Sequence, residues 1–469
     1  MYSDAYGNAL FLSTIVLGLI YNALIIFKTP ILDSKYKFLS AGFVGVFSCF
    51  IVFNGGVIQL LYLKDFDYIS ANAFAPYMDY ASLMKFNAVT ALGNVCFWLG
   101  YMLPAGRKLF AFYYEGIGYK RFLHLDIGAL FPKVFIVIGL GLNFILFING
   151  AFGRGLSTPE DFDGIVRYLV LYSSYVEKIS MVGYFLLALL YFKDGSHKVW
   201  FWATLLIQVV FALVSGARGP IIFLFLLTMI PYYYVNRKIT KQIIIAGAFT
   251  LFVAFTIASE IKVFTQSFNS NSVSISDYAE SFMEFREKSQ ADIDRRIYRS
   301  VYYSLMRRLS SVAQGSVAIK YKDQHGVDEY DPKFIGELVT APLYVVIPRT
   351  QLGGQFPNWG QWYRLKVLRQ NNDSYLNNIS FGQVGYFYLA GKWLFVAIGF
   401  IIYGIILRFA NNFLELNSGL SFLVYVAIIS VIGYVAASIP SSSVTFLRYI
   451  IFLPIIFYVT IKVSNRLRI

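Results

Sequence analysis

The chain is predicted to be an all-α polytopic integral membrane protein, and three observations predict it. Of its 469 residues, 57% are hydrophobic and only 14% are charged, and its mean hydropathy is +0.59. A soluble domain of this size has no use for so much apolar surface. The apolar residues gather into about eleven runs of roughly twenty residues, the length that crosses a bilayer core. Lysine and arginine crowd into alternate connections between those runs, as membrane insertion requires.

The runs fall at Asn8–Phe27, Phe38–Leu63, Ser82–Leu103, Pro132–Asn149, Tyr168–Phe192 and Val199–Ser215. They continue at Pro220–Val235, Gln242–Ser259, Phe381–Leu407, Leu420–Ile439 and Tyr449–Val463. One set of short connections carries Lys28, Lys35, Lys37, Arg107, Lys108, Lys120, Arg121, Lys193, Lys198, Arg237, Lys238, Lys241, Arg408, Lys462, Arg466 and Arg468. The opposite set carries only Lys64, Arg154, Arg167, Arg218 and Arg448. The first set is therefore expected in the cytoplasm, and an odd number of spans leaves the N-terminus outside and the C-terminus inside. The opening Met1-Tyr2-Ser3-Asp4 lacks a basic n-region, so it does not read as a cleaved signal peptide.

Several function classes fall away on composition. The formal charge of +14 is spread over the cytoplasmic connections and is not gathered into one basic face, which excludes a nucleic-acid binder. Cys49 and Cys96 both lie in apolar runs, against a disulfide framework. With His124, His197 and His325 as the only histidines, no histidine-rich metal centre is expected, and no cofactor is called for. Aromatic residues make up 19% of the chain, which suits interfacial belts and sugar-stacking surfaces equally.

Arg218 stands out within Ser215-Gly216-Ala217-Arg218-Gly219-Pro220, between two apolar runs with almost no loop to hold it. A charge at such a depth is costly unless it faces protein, water or an anionic ligand. The glycines on both sides permit a tight turn and close approach of another group to the backbone. By the orientation above, Arg218 lies at the outer edge.

The same orientation divides the chain into membrane spans in 1–261, one large external loop domain in 262–380, and membrane spans in 381–469. Ser267–Ser276 reads as a Ser/Asn-rich linker, and Asp277–Lys288 and Asp292–Ala313 read as helices. In the second, Ile293, Ile297, Val301, Leu305, Leu309 and Val312 form an apolar stripe. Arg296, Arg299, Tyr303 and Arg307 share the opposite face, either as a solvated face or as an anion-binding one. Arg308 falls within the apolar stripe, where it either snorkels to water or meets a phosphate. Gly336–Trp362 then carries the step Ile347-Pro348-Arg349, the pair Gly353-Gly354 and the two tryptophans Trp359 and Trp362. Proline stiffens the chain before Arg349, and the glycines release it. Trp359, Trp362 and Tyr363 serve either as a glycan-stacking platform or as anchors at the bilayer surface.

Three features together resemble the Wzy-type O-antigen polymerases, also called oligosaccharide repeat-unit polymerases. They are Ser-Gly-Ala-Arg-Gly at 215–219, the Ile347-Pro348-Arg349 step, and Asn378–Gly391, NISFGQVGYFYLAG, which leads into the ninth span. Order and spacing match that family from about Val199 to Leu407, and the first five spans match it in general character. Members usually carry a glutamate after the glycine that opens the last motif, where this chain has Gln383.

The resemblance implies a GT-C-like membrane glycosyltransferase in the bacterial inner membrane, with its active site facing the periplasm. It implies a metal-independent polymerase that moves a growing glycan from undecaprenyl diphosphate onto a fresh lipid-linked repeat unit. A chain-length regulator would be a partner. Such chemistry needs stabilisation of a departing diphosphate, for which arginine supplies a permanent charge and a bidentate fork. Arg218 and Arg349 are the leading catalytic candidates, with Arg299 and Arg308 as further diphosphate contacts. No general base stands out. Glu177, Lys178 and Lys392 lie mid-span and suit an intramembrane ion pair; His325, Glu337 and Asp373 are external and titratable, and nothing in the sequence ranks them.

Two other readings use other residues. Asp65-Phe66-Asp67 follows the second span on the outer side, a weak acidic pair of the kind that metal-using polyprenyl-linked glycosyltransferases place there; an O-antigen ligase belongs with this reading. A lipid-linked oligosaccharide flippase or solute carrier would use Glu177, Lys178 and Lys392, but transporters tend to show repeated halves and none is visible.

Overall fold

The structure is a computed structural model. It describes residues 36–45, 47, 80–116, 120–123, 128, 130–149, 162–171, 173–214, 218–255, 311–326, 331–340, 362–368, 382–432, 450–451 and 459. Among the described residues the chain is helical and has no strand.

In chain order the helices of seven or more residues are α1 (Tyr80–Met102), α2 (Ala105–Ala111), α3 (Leu130–Ile148), α4 (Gly164–Leu171), α5 (Ser173–Asp194) and α6 (Lys198–Val214). They continue with α7 (Arg218–Asn236), α8 (Lys241–Phe255), α9 (Ser311–His325), α10 (Asp331–Thr340), α11 (Gly382–Glu415) and α12 (Gly419–Ile432). Pi-helical turns cover Phe112–Gly116 and Tyr363–Val367. Pro104 explains the break between α1 and α2. It caps α2, where a missing N–H does no harm, but it cannot continue α1.

Among the described residues, α3 and α11 are each long and apolar enough to cross a bilayer. The pair 84–102 and 105–116, bent by 45°, makes a third if it is one span. Helices α6, α7 and α12 are apolar but shorter.

The chain forms two compact units, Met1–Leu125 with Leu305–Tyr458, and Asp126–Ser304 with Val459–Ile469. One boundary falls between residues 304 and 305, inside the polar stretch 262–380. Helices α9 and α10, from that stretch, group with α1 and α11.

In the first unit α1 and α11 run parallel. Lys85 meets Tyr388, Gly93 meets Phe400, and Phe97 and Tyr101 meet Gly404. Glycine sets how closely they approach. A Cβ at Gly100 would lie 2.0 Å from the Ile401 carbonyl oxygen, and one at Gly404 would lie 2.2 Å from that of Phe97. Small residues at a helix seam allow such backbone contact inside a membrane, where burial of apolar surface drives nothing. Helix α9 packs on both helices, and α10 and α12 pack on α11.

Helix α11 is not one straight rod. Gly391 and Lys392 leave helical geometry, Lys392 with φ 53° and ψ −143°. The segment 382–390 is buried almost throughout, whereas Lys392, Trp393 and Leu394 are exposed. A lysine held at positive φ costs on the order of 1–3 kcal/mol, so the surrounding contacts must hold the break in place.

In the second unit α3 and α5 run antiparallel. A Cβ at Gly139 would lie 2.3 Å from the Ser180 nitrogen, and one at Gly183 would lie 2.7 Å from the Pro132 carbonyl oxygen. Helix α7 lies along α5, where Tyr184 shares a 2.7 Å hydrogen bond with Thr228 and the Phe192 ring meets Tyr232 edge-on. Phe201 of α6 stacks between Tyr184 and Tyr191 at centroid distances of 5.6 and 4.5 Å.

Candidate functional site

Where α9 meets α1 and α11, three side chains from three helices converge. Lys85, one turn into α1, places its Nζ 2.5 Å from Oδ2 of Asp323 in the last turn of α9. Tyr388, in the second turn of α11, donates its hydroxyl to the other oxygen, Oδ1, at 2.9 Å. The ammonium also lies over the Tyr388 ring, 5.6 Å from its centroid, a favourable place for a cation. Tyr388 is buried, whereas the side chains of Lys85 and Asp323 keep 34% and 29% of their exposure. The carboxylate is thus held in orientation by two donors and remains open to a visiting molecule.

The break in α11 bears on this group. Trp393, the first residue past it, sets its ring edge against Tyr388 at 6.3 Å. The strained step at Lys392 therefore lies between two rings that touch.

A second set of contacts fixes α9 from its other flank. Tyr363 donates to the Gln314 carbonyl oxygen at 2.7 Å, and the Trp362 ring stands perpendicular to Tyr321 at 5.8 Å. Tyr321 in turn stacks with His325 at 4.2 Å, whose Nδ1 lies 2.9 Å from the Tyr321 carbonyl oxygen. Burial pushes the Tyr363 phenol well above its ordinary value, so it stays a neutral donor.

The residues expected from sequence are distributed as follows. Arg218 is the first residue of α7, after the three-residue link 215–217 that follows Val214. Ala212 and Ile221 pack together across this hairpin. Trp362 is 6% exposed and Tyr363 is fully buried, so both rings are wall and anchor and neither presents an open face for a sugar. Gln383 is buried in the first turn of α11, and its Oε1 has no hydrogen-bond partner among the described residues. An amide here carries no charge, and a carboxylate function is absent from this position.

Lys178 is exposed on α5, and Glu177 belongs to the same helix. Lys392 stands at the break in α11 and not inside an unbroken span. His325 closes α9 and Glu337 lies in α10. Arg349, Arg299, Arg308, Trp359, Asp373, Asp65 and Asp67 lie outside the described residues, as do Arg296, Tyr303 and Arg307.

Neither Lys85 nor Asp323 was among the candidates drawn from sequence. The available signal was a lysine inside the apolar run Ser82–Leu103, in a place where a charge asks for a partner. Asp323 stands alone among Lys320, Lys322 and His325. Nothing in spacing joins positions 85, 323 and 388.

No family model, no curated protein and no solved structure matches the chain.

Proposed function

We propose that this chain is a glycan polymerase of the bacterial inner membrane, with about eleven spans in a GT-C-like arrangement, N-terminus out and C-terminus in. It transfers a growing glycan from undecaprenyl diphosphate onto the terminal sugar of a new lipid-linked repeat unit on the periplasmic side. The observation that carries the reading is Arg218 as the first residue of α7, an apolar helix that packs on α6. Unpaired N–H groups and the positive end of the helix dipole favour an anion at such a terminus. The guanidinium adds a permanent charge and a fork matched to phosphate oxygens.

The reaction follows from those properties. An acceptor hydroxyl attacks the anomeric carbon of the donor, and the bond to the diphosphate oxygen breaks. Charge that develops on the diphosphate is what a fixed cation in a water-poor site stabilises best. Arg349, Arg299 and Arg308 are further candidates for the same anion. A single displacement inverts the anomeric centre.

Complementation of a strain deleted for the gene tests this reading, with surface glycans resolved on a gel. The deletion should leave single-repeat glycan and the wild-type gene should restore a ladder. Arg218→Ala and Arg218→Lys, at matched protein levels, should both fail, because lysine keeps the charge but not the fork. If the wild type restores no ladder, or the deletion abolishes external repeat units altogether, the polymerase reading fails and a ligase or a flippase takes its place.

A further inference from the structure

We infer that Asp323 is the general base of transfer, the group that takes the proton from the acceptor hydroxyl. The inference rests on the polymerase reading and deepens it.

A base for this step must be ionised, oriented and reachable by the substrate. Lys85 at 2.5 Å and the Tyr388 hydroxyl at 2.9 Å each supply a donor to one carboxylate oxygen. Together they fix the plane of the group. An ionised carboxylate offers about four lone-pair directions, so each oxygen keeps capacity for one further donor. The side chain is 29% exposed, which leaves room for a sugar hydroxyl at hydrogen-bond distance.

A purely structural tie explains these contacts less well. An ion pair whose members are each about a third exposed contributes only about 0–1 kcal/mol to stability. Meanwhile Tyr388 is braced by Trp393 across a strained break, and strain of that kind is found where position matters for chemistry. The carboxylate is carried by the polar loop and met by both parallel helices, Lys85 from α1 and Tyr388 from α11.

The step balances as follows. The acceptor O–H proton passes to an oxygen of Asp323 while the acceptor oxygen bonds to the anomeric carbon of the donor. The bond from that carbon to the diphosphate oxygen breaks, and its electron pair leaves with undecaprenyl diphosphate. Asp323 then returns its proton to water. Lys85 and Tyr388 position the carboxylate and do not themselves take the proton.

The full-length protein in proteoliposomes is supplied with lipid-linked repeat units extracted from the deletion strain, and chain growth is followed over time. Asp323→Asn should lower kcat by about 100-fold or more, with the acceptor KM within about threefold of wild type and the melting temperature nearly unchanged. Tyr388→Phe should lower kcat about tenfold at unchanged KM, and it serves as the test if Asp323→Asn does not accumulate. Turnover of Asp323→Asn within about threefold of wild type overturns the inference and leaves the polymerase reading standing. So does unchanged turnover in Tyr388→Phe. Absence of chain growth by the wild-type protein overturns the polymerase reading and the inference with it.

Discussion

The two units use the same helix-to-helix contact, glycine against backbone, but differ in what they add to it. The first unit adds polar side-chain contacts near both ends of α11. Lys85, Asp323 and Tyr388 stand at one end. At the other, Asn411 accepts from the Ala41 N–H at 3.0 Å and donates to Glu415 at 2.8 Å, and Tyr36 bonds Asn417. The second unit, among its described residues, uses stacked rings, hydroxyl bonds such as Tyr184 to Thr228, and cations set over rings, Lys133 on Trp200 and Arg237 on Tyr234. Apolar contact suffices to assemble helices in lipid. Convergent charged and amide groups cost desolvation there, so their gathering in the first unit asks for a reason beyond helix assembly.

The largest effect should come from the seam common to both units. Gly100→Ala sets a methyl 2.0 Å from a backbone carbonyl oxygen that has no freedom to rotate away. We expect a loss of about 3 kcal/mol or more, the upper end of what overpacking costs. Gly141 of α3 meets nothing within 4 Å, so Gly141→Ala should change stability by less than about 1 kcal/mol, in the stabilising direction. Thermal unfolding in detergent compares the two. Equal melting temperatures would mean that the glycine seam does not hold the first unit together.

Next comes the polar cluster near the C-terminal end of α11. Asn411 is 2% exposed and satisfies two groups. Asn411→Ala strands the Ala41 N–H and should cost about 1–3 kcal/mol. Tyr184→Phe in the second unit should cost less, about 0.5–1.5 kcal/mol, because the Thr228 hydroxyl keeps its bond to the Leu224 carbonyl oxygen at 2.9 Å. Parallel melts of the two variants sharpen the contrast. A larger loss for Tyr184→Phe would reverse it.

The same contrast governs what could be seen in the sequence. Where the residues are described, apolar runs gave helices directly, because their pattern is local. Val199–Ser215 became Lys198–Val214, and Pro132–Asn149 became Leu130–Ile148. Helix α9 escaped notice beyond Ala313 because residues 314–319 are buried on every side, so no one-sided stripe marks them. The break in α11 is equally silent. Its lysine has a positive φ, a state that no propensity favours outside glycine and asparagine. The candidate base was missed for a different reason: its three members lie 238 and 65 residues apart, and only the fold brings them together. Arginine in an apolar hairpin, by contrast, is conspicuous in any single sequence.

The smallest effect on stability should come with a clear effect on turnover, and Lys85 is the residue that separates the two. Its ion pair is about one-third exposed, so Lys85→Met should move stability by no more than about 1 kcal/mol. The methionine keeps most of the stem that lies along Tyr388 while removing the donor that helps hold the Asp323 carboxylate in plane. Transfer should fall about tenfold at unchanged acceptor KM, because the Tyr388 hydroxyl still orients one oxygen. In the second unit, Thr228→Val removes a hydroxyl of similar stability value whose described hydrogen bonds are to Tyr184 and the Leu224 carbonyl oxygen, and turnover should follow only the amount of folded protein. If Lys85→Met and Thr228→Val behave alike, both in melting and in turnover per folded molecule, the polar group of the first unit is a strut, and the asymmetry between the units has no bearing on the reaction.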